Sequence, residues 1–62
     1  MAFVKFTNID GVEVHINPNR VQQVAFYERL GTVSILFGNK DGVVVREPVD
    51  EVIKRLEHAY WT

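Results

Sequence analysis

The sequence predicts an α+β domain in which a five-stranded antiparallel meander, open or curled into a small barrel, is followed by one C-terminal amphipathic helix. Three observations support this prediction. Apolar side chains recur at helical spacing over residues 47–60. Upstream of them, short runs rich in β-branched and aromatic residues alternate with polar residues. Turn residues separate these runs at intervals of about 8–12 residues, which is typical of sequential hairpins.

The first two strands are predicted over residues 2–9 and 12–16. Asp10-Gly11 lies between them, and this pair favours a two-residue hairpin turn because both positions need positive φ. Pro18 has no N–H group to donate, so it ends the second strand. The remaining elements follow in chain order: a third strand over 21–28, a reversal at Leu30-Gly31, a fourth strand over 32–37, a longer turn over 38–42 and a fifth strand over 43–46.

The helix is predicted over residues 47–60. Pro48 suits its first turn, where a missing N–H group removes no hydrogen bond. The polar face offers two pairs of opposite charge at i, i+4 spacing, which are Asp50 with Lys54 and Glu51 with Arg55. Each such pair contributes only about 0.2–0.5 kcal/mol. The helix therefore depends on packing of its apolar face, which consists of Val49, Val52, Ile53, Leu56 and Ala59.

The length of 62 residues indicates a single domain, 1–62, with its β region over 1–46. A domain this small buries only about 60% of its unfolded surface and is marginally stable alone. The chain has no cysteine, so disulfides are excluded, and two histidines cannot by themselves complete a structural zinc site. Extra stability must come from a partner subunit or from close packing. No cofactor or metal is expected.

Charge and hydropathy exclude further classes of protein. The net charge of −1 argues against a protein whose main task is binding phosphate backbones, because that task requires a basic surface. No apolar run approaches the roughly 18 residues of a membrane span. The sequence has no signal-peptide pattern and no cysteine, which together predict a cytoplasmic protein without membrane contact.

The predicted sheet has more apolar surface than one helix can cover. Its core face is predicted to contain Val12, Val14, Ile16, Val24, Phe26, Val33, Ile35, Phe37, Val43 and Val45. A second apolar group is left over on the other face, consisting of Ala25, Tyr27, Leu36, Val44 and either Phe3 or Phe6, and Tyr60 and Trp61 after the helix could fold back onto an edge. The predicted interface consists of Phe3, Ala25, Tyr27, Leu36, Val44 and Trp61. Either the sheet curls into a barrel that hides this group, or a second copy of the chain covers it. A swapped or paired edge strand would achieve the same end. We expect a homo-oligomer, since a small domain gains most from burying a second face.

No residue pattern indicates catalysis. His15 lies on the polar side of the second strand, where Glu13 could pair with it, but no nucleophile accompanies them. Ser34 lies within a strand and lacks the glycine context of a nucleophile elbow. The glycine-bracketed turn 38–42 does not open a helix, so a hairpin explains it better than a phosphate loop. The chain is predicted not to be an enzyme.

The alternative function is a small dimeric regulator that binds nucleic acid. Lys5, Arg29 and Arg46 lie in or beside strands of the predicted sheet. Together with the aromatic residues Phe3, Tyr27 and Phe37 they could form a sheet face that binds single-stranded nucleic acid. The acidic balance of the whole chain makes nucleic acid the less favoured partner.

Several segments together form a further pattern. They are Ile9-Asp10-Gly11, Val14-His15-Ile16-Asn17-Pro18 with Val21 and Val24, Thr32-Val33-Ser34-Ile35-Leu36, and Val44-Val45-Arg46-Glu47-Pro48-Val49-Asp50-Glu51-Val52-Ile53. This pattern resembles the FlbD-type family of small flagellar and swarming-motility proteins. The family typically has a short Asn-Gly turn where this chain has residues 38–42. The resemblance implies no catalytic residues and an association with motility or its regulation.

The layout of five short strands and a C-terminal helix is also similar to the carbon-storage-regulator type of RNA-binding protein, a small obligate dimer. This likeness is in layout only, because the basic first strand and the binding loop of that type are not matched here. The sequence therefore predicts a small, non-catalytic, homo-oligomeric module for protein interaction or assembly. Its expected partners are a second copy of itself and an unidentified protein.

Overall fold

The computed structural model describes residues 3–38 and 40–61 and confirms the α+β class. Its elements are, in order, β1 Val4–Thr7, β2 Glu13–Ile16, a 3₁₀ helix Pro18–Arg20, β3 Gln23–Tyr27, β4 Thr32–Gly38, β5 Asp41–Val45 and α1 Val49–Trp61. All neighbouring strands pair antiparallel. The strands form a two-stranded sheet β1–β2 and a three-stranded sheet β3–β4–β5, instead of one continuous meander. They do not close into a barrel.

The meander is interrupted between β2 and β3 by the 3₁₀ helix. The Asn17 side chain accepts a hydrogen bond from the N–H group of Asn19 at 3.0 Å, and its carbonyl accepts one from Arg20 at 3.0 Å. Pro18 is buried and cannot donate to a neighbouring strand. The backbone groups of this connection are therefore satisfied locally, and β2 and β3 enter different sheets.

The β1–β2 turn differs from the predicted two-residue turn, because Asn8 organises it. The Asn8 side chain accepts hydrogen bonds from Asp10 N and Val12 N, both at 2.9 Å. Asn8 N donates to Val12 O, which leaves a three-residue loop that ends at Gly11 with φ of 82°. The paired strands are consequently shorter than predicted. Ala2, at the predicted start of the first strand, lies outside the described residues.

The β4–β5 turn is tighter than the predicted five-residue turn. Gly38 pairs with Asp41, so both strands continue into the segment that the sequence analysis treated as a loop. Gly38 and Lys40 have φ values of 96° and 66°, the left-handed region that tight reversals use. Asn39 of this turn lies outside the described residues.

The hydrophobic core joins one face of each sheet to α1. Its buried members are Val4, Phe6, Ile16, Val33, Ile35, Val45, Val52, Leu56 and Ala59. α1 packs against β1 and the 3₁₀ helix. Three residues that the sequence analysis assigned to buried faces are instead exposed, namely Val12, Phe26 and Ile53. Val12 precedes β2 in the turn, Phe26 lies at the edge of its sheet, and Ile53 lies at the margin of the helix stripe.

Candidate interaction surface

The outer face of the three-stranded sheet is the side turned away from the core. The strand register places Ala25 beside Ser34 and Ser34 beside Val44, in a row across all three strands. Neighbouring rows contain Tyr27 beside Thr32, and Gln23 beside Leu36. We call this set the outer face; its members are Gln23, Ala25, Tyr27, Thr32, Ser34, Leu36 and Val44.

The outer face is uncharged and only partly exposed. α1 packs on β1 and the 3₁₀ helix and thus lies elsewhere. Gln23 and Tyr27 are exposed, Ala25, Ser34, Leu36 and Val44 are half-buried, and Thr32 is buried. A face of this kind on a small domain is typical of a contact with another protein surface.

The Leu36 side chain on the outer face lies close to Gly42 of the neighbouring strand. A Cβ atom on Gly42 would come within 2.6 Å of Leu36 Cδ2 and 3.0 Å of the Ile35 carbonyl oxygen. The Leu36 side chain therefore occupies the space directly above Gly42. A Cβ atom at position 42 would require the end of the Leu36 side chain to move.

The structure brings together four of the six predicted interface residues. Ala25, Tyr27, Leu36 and Val44 share the outer face. Phe3 lies apart from them, before β1, where it lines a groove of about 640 Å³ between β1 and α1. Trp61 is the last described residue of α1, is 80% exposed, and contacts the Tyr60 ring edge-on at 5.2 Å.

Two exposed apolar residues at the β3 end of the three-stranded sheet were not in the predicted set. Phe26 is 51% exposed although its register with Val33 places it on the core side of the sheet. Leu30, in the turn after β3, is 74% exposed. Together with Tyr27 these residues line a shallow pocket of about 470 Å³ at the end of the sheet. The sequence did not predict this exposure, because Phe26 alternates with core residues. Its exposure follows from the position of β3 at the edge of the sheet, where no further described strand lies beside it.

The three basic residues of the alternative function do not form one patch within a single sheet. Lys5 belongs to the two-stranded sheet, pairs with His15, and lines the groove beside α1. Arg29 lies in the β3–β4 turn, and Arg46 directly follows β5. Binding of nucleic acid stays a prediction, and salt-dependent retention of RNA or DNA would be its signature.

The polar residues considered for catalysis are separated in space. His15 Nε2 lies 2.7 Å from Glu13 Oε2, as their alternation predicted, and both side chains are exposed. Ser34 lies on the outer face of the other sheet. Within residues 3–38 and 40–61, His, Asp and Glu side chains form no cluster of three or more that could hold a metal ion.

Arg55 connects α1 to β1 and to the start of the helix. Its Nη1 atom donates to the Lys5 carbonyl oxygen at 3.1 Å, and its guanidinium carbon lies 5.2 Å from the centre of the Phe6 ring. Its Nε atom lies 3.7 Å from Glu51, which confirms that predicted pair, and Nη1 lies 4.0 Å from Glu47. The described residues show no such contact between Asp50 and Lys54.

Replacing Arg55 with methionine should lower the free energy of unfolding by about 1–2 kcal/mol, because the charged hydrogen bond and the cation–π contact are both lost. Urea denaturation followed by circular dichroism measures this difference. The matched control is Lys54→Met, one position earlier, which should change stability by less than about 0.5 kcal/mol. Equal losses in the two variants would contradict the connecting role of Arg55.

No described helix is long and apolar enough to cross a membrane, and the predicted cytoplasmic location stays a prediction. No family model matches this chain, and neither the curated proteins nor the solved structures provide a match. The resemblance to the FlbD-type family is accordingly untested.

Proposed function

We propose that this chain is a non-catalytic protein-interaction or assembly module that acts as a homo-oligomer through the outer face of its three-stranded sheet. The observation that carries the proposal is that this face is uncharged and half apolar, and that α1 packs elsewhere. Identical copies can meet through such a face without bringing like charges together.

A motility setting for this module is supported only by the sequence pattern that resembles the FlbD-type family. In a motility setting, the homo-oligomer would be the form that acts, and a second protein would bind the surface that is not buried by self-association. The proposed self-association does not depend on this setting, and it can be tested with the purified chain alone.

Replacing Tyr27 or Leu36 with aspartate should convert the oligomer to a monomer, because each substitution places a charge in a contact that the symmetry repeats. Light scattering across a wide concentration range should give at least twice 7.1 kDa for the unmodified chain and 7.1 kDa for both variants. Thr7→Asp is the matched control, since Thr7 is an exposed strand residue of the other sheet. An unmodified chain that stays monomeric at every concentration would overturn the proposal. Variants that keep both mass and stability would exclude the outer face.

A further inference from the structure

The edge of the three-stranded sheet at β3 is open, whereas the edge at β5 is partly closed. β3 pairs only with β4 among the described residues. At the other edge, Asn8 forms a bridge with Val45, and Ile9 N donates to Val44 O at 3.0 Å. An open edge strand presents unpaired N–H and C=O groups to which another strand can add.

β3 also lacks the features that usually protect an edge. Four strands lie at sheet edges, and three of them carry charge: Lys5 in β1, Glu13 in β2 and Asp41 in β5. The sequence of β3, Gln-Val-Ala-Phe-Tyr, has no charged residue and no proline. Its register with β4 is regular from Gln23 to Tyr27. A two-fold contact places identical strands side by side, so an uncharged strand is suited to pairing with its own copy.

Phe26 shows that the core is incompletely covered at this edge. Its register partner Val33 is fully buried on the same side of the sheet, yet Phe26 is half exposed. Val24 lies on the same side of β3 and is half-buried. A strand added along β3 would supply the missing neighbour for both residues.

We infer that two copies of this chain pair antiparallel through their β3 strands, with the two-fold axis at Ala25. This inference rests on the proposed homo-oligomer but places the first contact at the β3 edge of the outer face, where Tyr27 takes part and Leu36, on the central strand, does not. The Leu36→Asp variant therefore also separates edge pairing, which it should leave intact, from a face-to-face contact. In this register Phe26 of each copy lies beside Val24 of the other, on the core side of the sheet. Tyr27 of each copy lies beside Gln23 of the other, so the two outer faces join into one surface. Ala25 has a small side chain at the axis, where the two backbones approach most closely.

Single cysteines test the geometry directly, because the chain has no cysteine of its own. Ala25→Cys should form a disulfide-linked dimer under mild oxidation, since the two copies of position 25 face each other across the axis. Ser34→Cys is the matched variant, because Ser34 lies beside Ala25 in the register but on the central strand. It should remain monomeric in denaturing gels. Thr7→Cys, on the other sheet, reports chance collisions.

A second pair of variants avoids any perturbation at the axis. Gln23→Cys and Tyr27→Cys are exposed positions at opposite ends of β3. In the proposed register, position 23 of one copy lies beside position 27 of the other. When the two variants are mixed, disulfides between a Gln23→Cys chain and a Tyr27→Cys chain should therefore exceed, at least several-fold, disulfides between two copies of the same variant. Phe26→Lys should reduce the mass by half in light scattering, because lysine on an edge strand opposes pairing.

The outcomes separate this inference from the proposed function. A covalent dimer of the Ala25→Cys variant together with the mixed cross-link supports edge pairing. A covalent dimer of the Ser34→Cys variant alone overturns edge pairing and supports a face-to-face oligomer, so the proposed function stands. An oligomer in which none of these positions cross-links also overturns edge pairing. An unmodified chain that is monomeric throughout overturns both.

Discussion

Replacing Phe6 with alanine should remove most of the stability of the protein. The Phe6 side chain is among the largest that are fully buried, and it lies where β1, α1 and the Arg55 guanidinium meet. Truncating a buried phenylalanine typically costs about 3–5 kcal/mol through lost transfer energy and the cavity left behind. A chain of 62 residues has a total stability of about 3–9 kcal/mol. Urea unfolding followed by circular dichroism should show a much lower midpoint, with a large unfolded fraction already present in buffer.

Phe3 provides the matched control for this prediction. It is the same residue type three positions earlier, but it is 64% exposed and lies outside β1. Phe3→Ala should change the free energy of unfolding by less than about 1 kcal/mol. If the two variants lost equal stability, Phe6 would not be the anchor of the β1–α1 contact.

Replacing Val52 with aspartate should abolish cooperative unfolding, because the protein should be unfolded already in buffer. Val52 has no exposed surface in the folded chain. An aspartate there would be desolvated among the apolar core residues, at a cost of at least about 4 kcal/mol. Scanning calorimetry should show no transition, and the near-ultraviolet circular dichroism of the aromatic residues should disappear.

Ile53, the next residue, is the control for Val52. It was predicted to share the buried stripe of α1, but it is 40% exposed. Ile53→Asp should therefore keep a cooperative transition and lose only about 1 kcal/mol. Unfolding of the Ile53 variant with survival of the Val52 variant would mean that α1 is rotated relative to the arrangement described above.

Local periodicity predicted the elements of this fold but not how they assemble. The alternation of β3, β4 and β5 correctly placed Val24, Val33 and Ile35 on one side and Ala25 and Leu36 on the other. Alternation depends only on backbone pleating, so it survives any choice of neighbouring strands. Which strands become neighbours depends on the connections between them. The segment 17–19 was predicted to be a turn, because Asn and Pro are typical of turns, but Asn17 caps a 3₁₀ helix that begins at Pro18.

The residues whose burial or turn geometry was wrongly predicted lie at a sheet edge and in the connections between strands. Phe26 was predicted to be buried because it alternates with core residues, yet its exposure follows from the edge position of β3. Asp10-Gly11 was predicted to form a two-residue turn, but the Asn8 side chain accepts hydrogen bonds from Asp10 N and Val12 N, and this favours the longer loop. The predicted interface residues that belong to the three-stranded sheet lie on the same face, because the strand register aligns them. Phe3 and Trp61 lie outside that sheet and have no such constraint.

The bond between Ile9 and Val44 at the β5 edge limits how far assembly can proceed. A sheet with two free edges adds copies without end and produces filaments. Here the loop of the first hairpin occupies one edge, and the strands of that hairpin carry charges of their own. Of the four edge strands, β3 is the one without charge and without a second neighbour among the described residues, and pairing of two copies there occupies it in both. Growth would then stop at a closed pair, which protects a protein with so much exposed apolar surface from fibril formation.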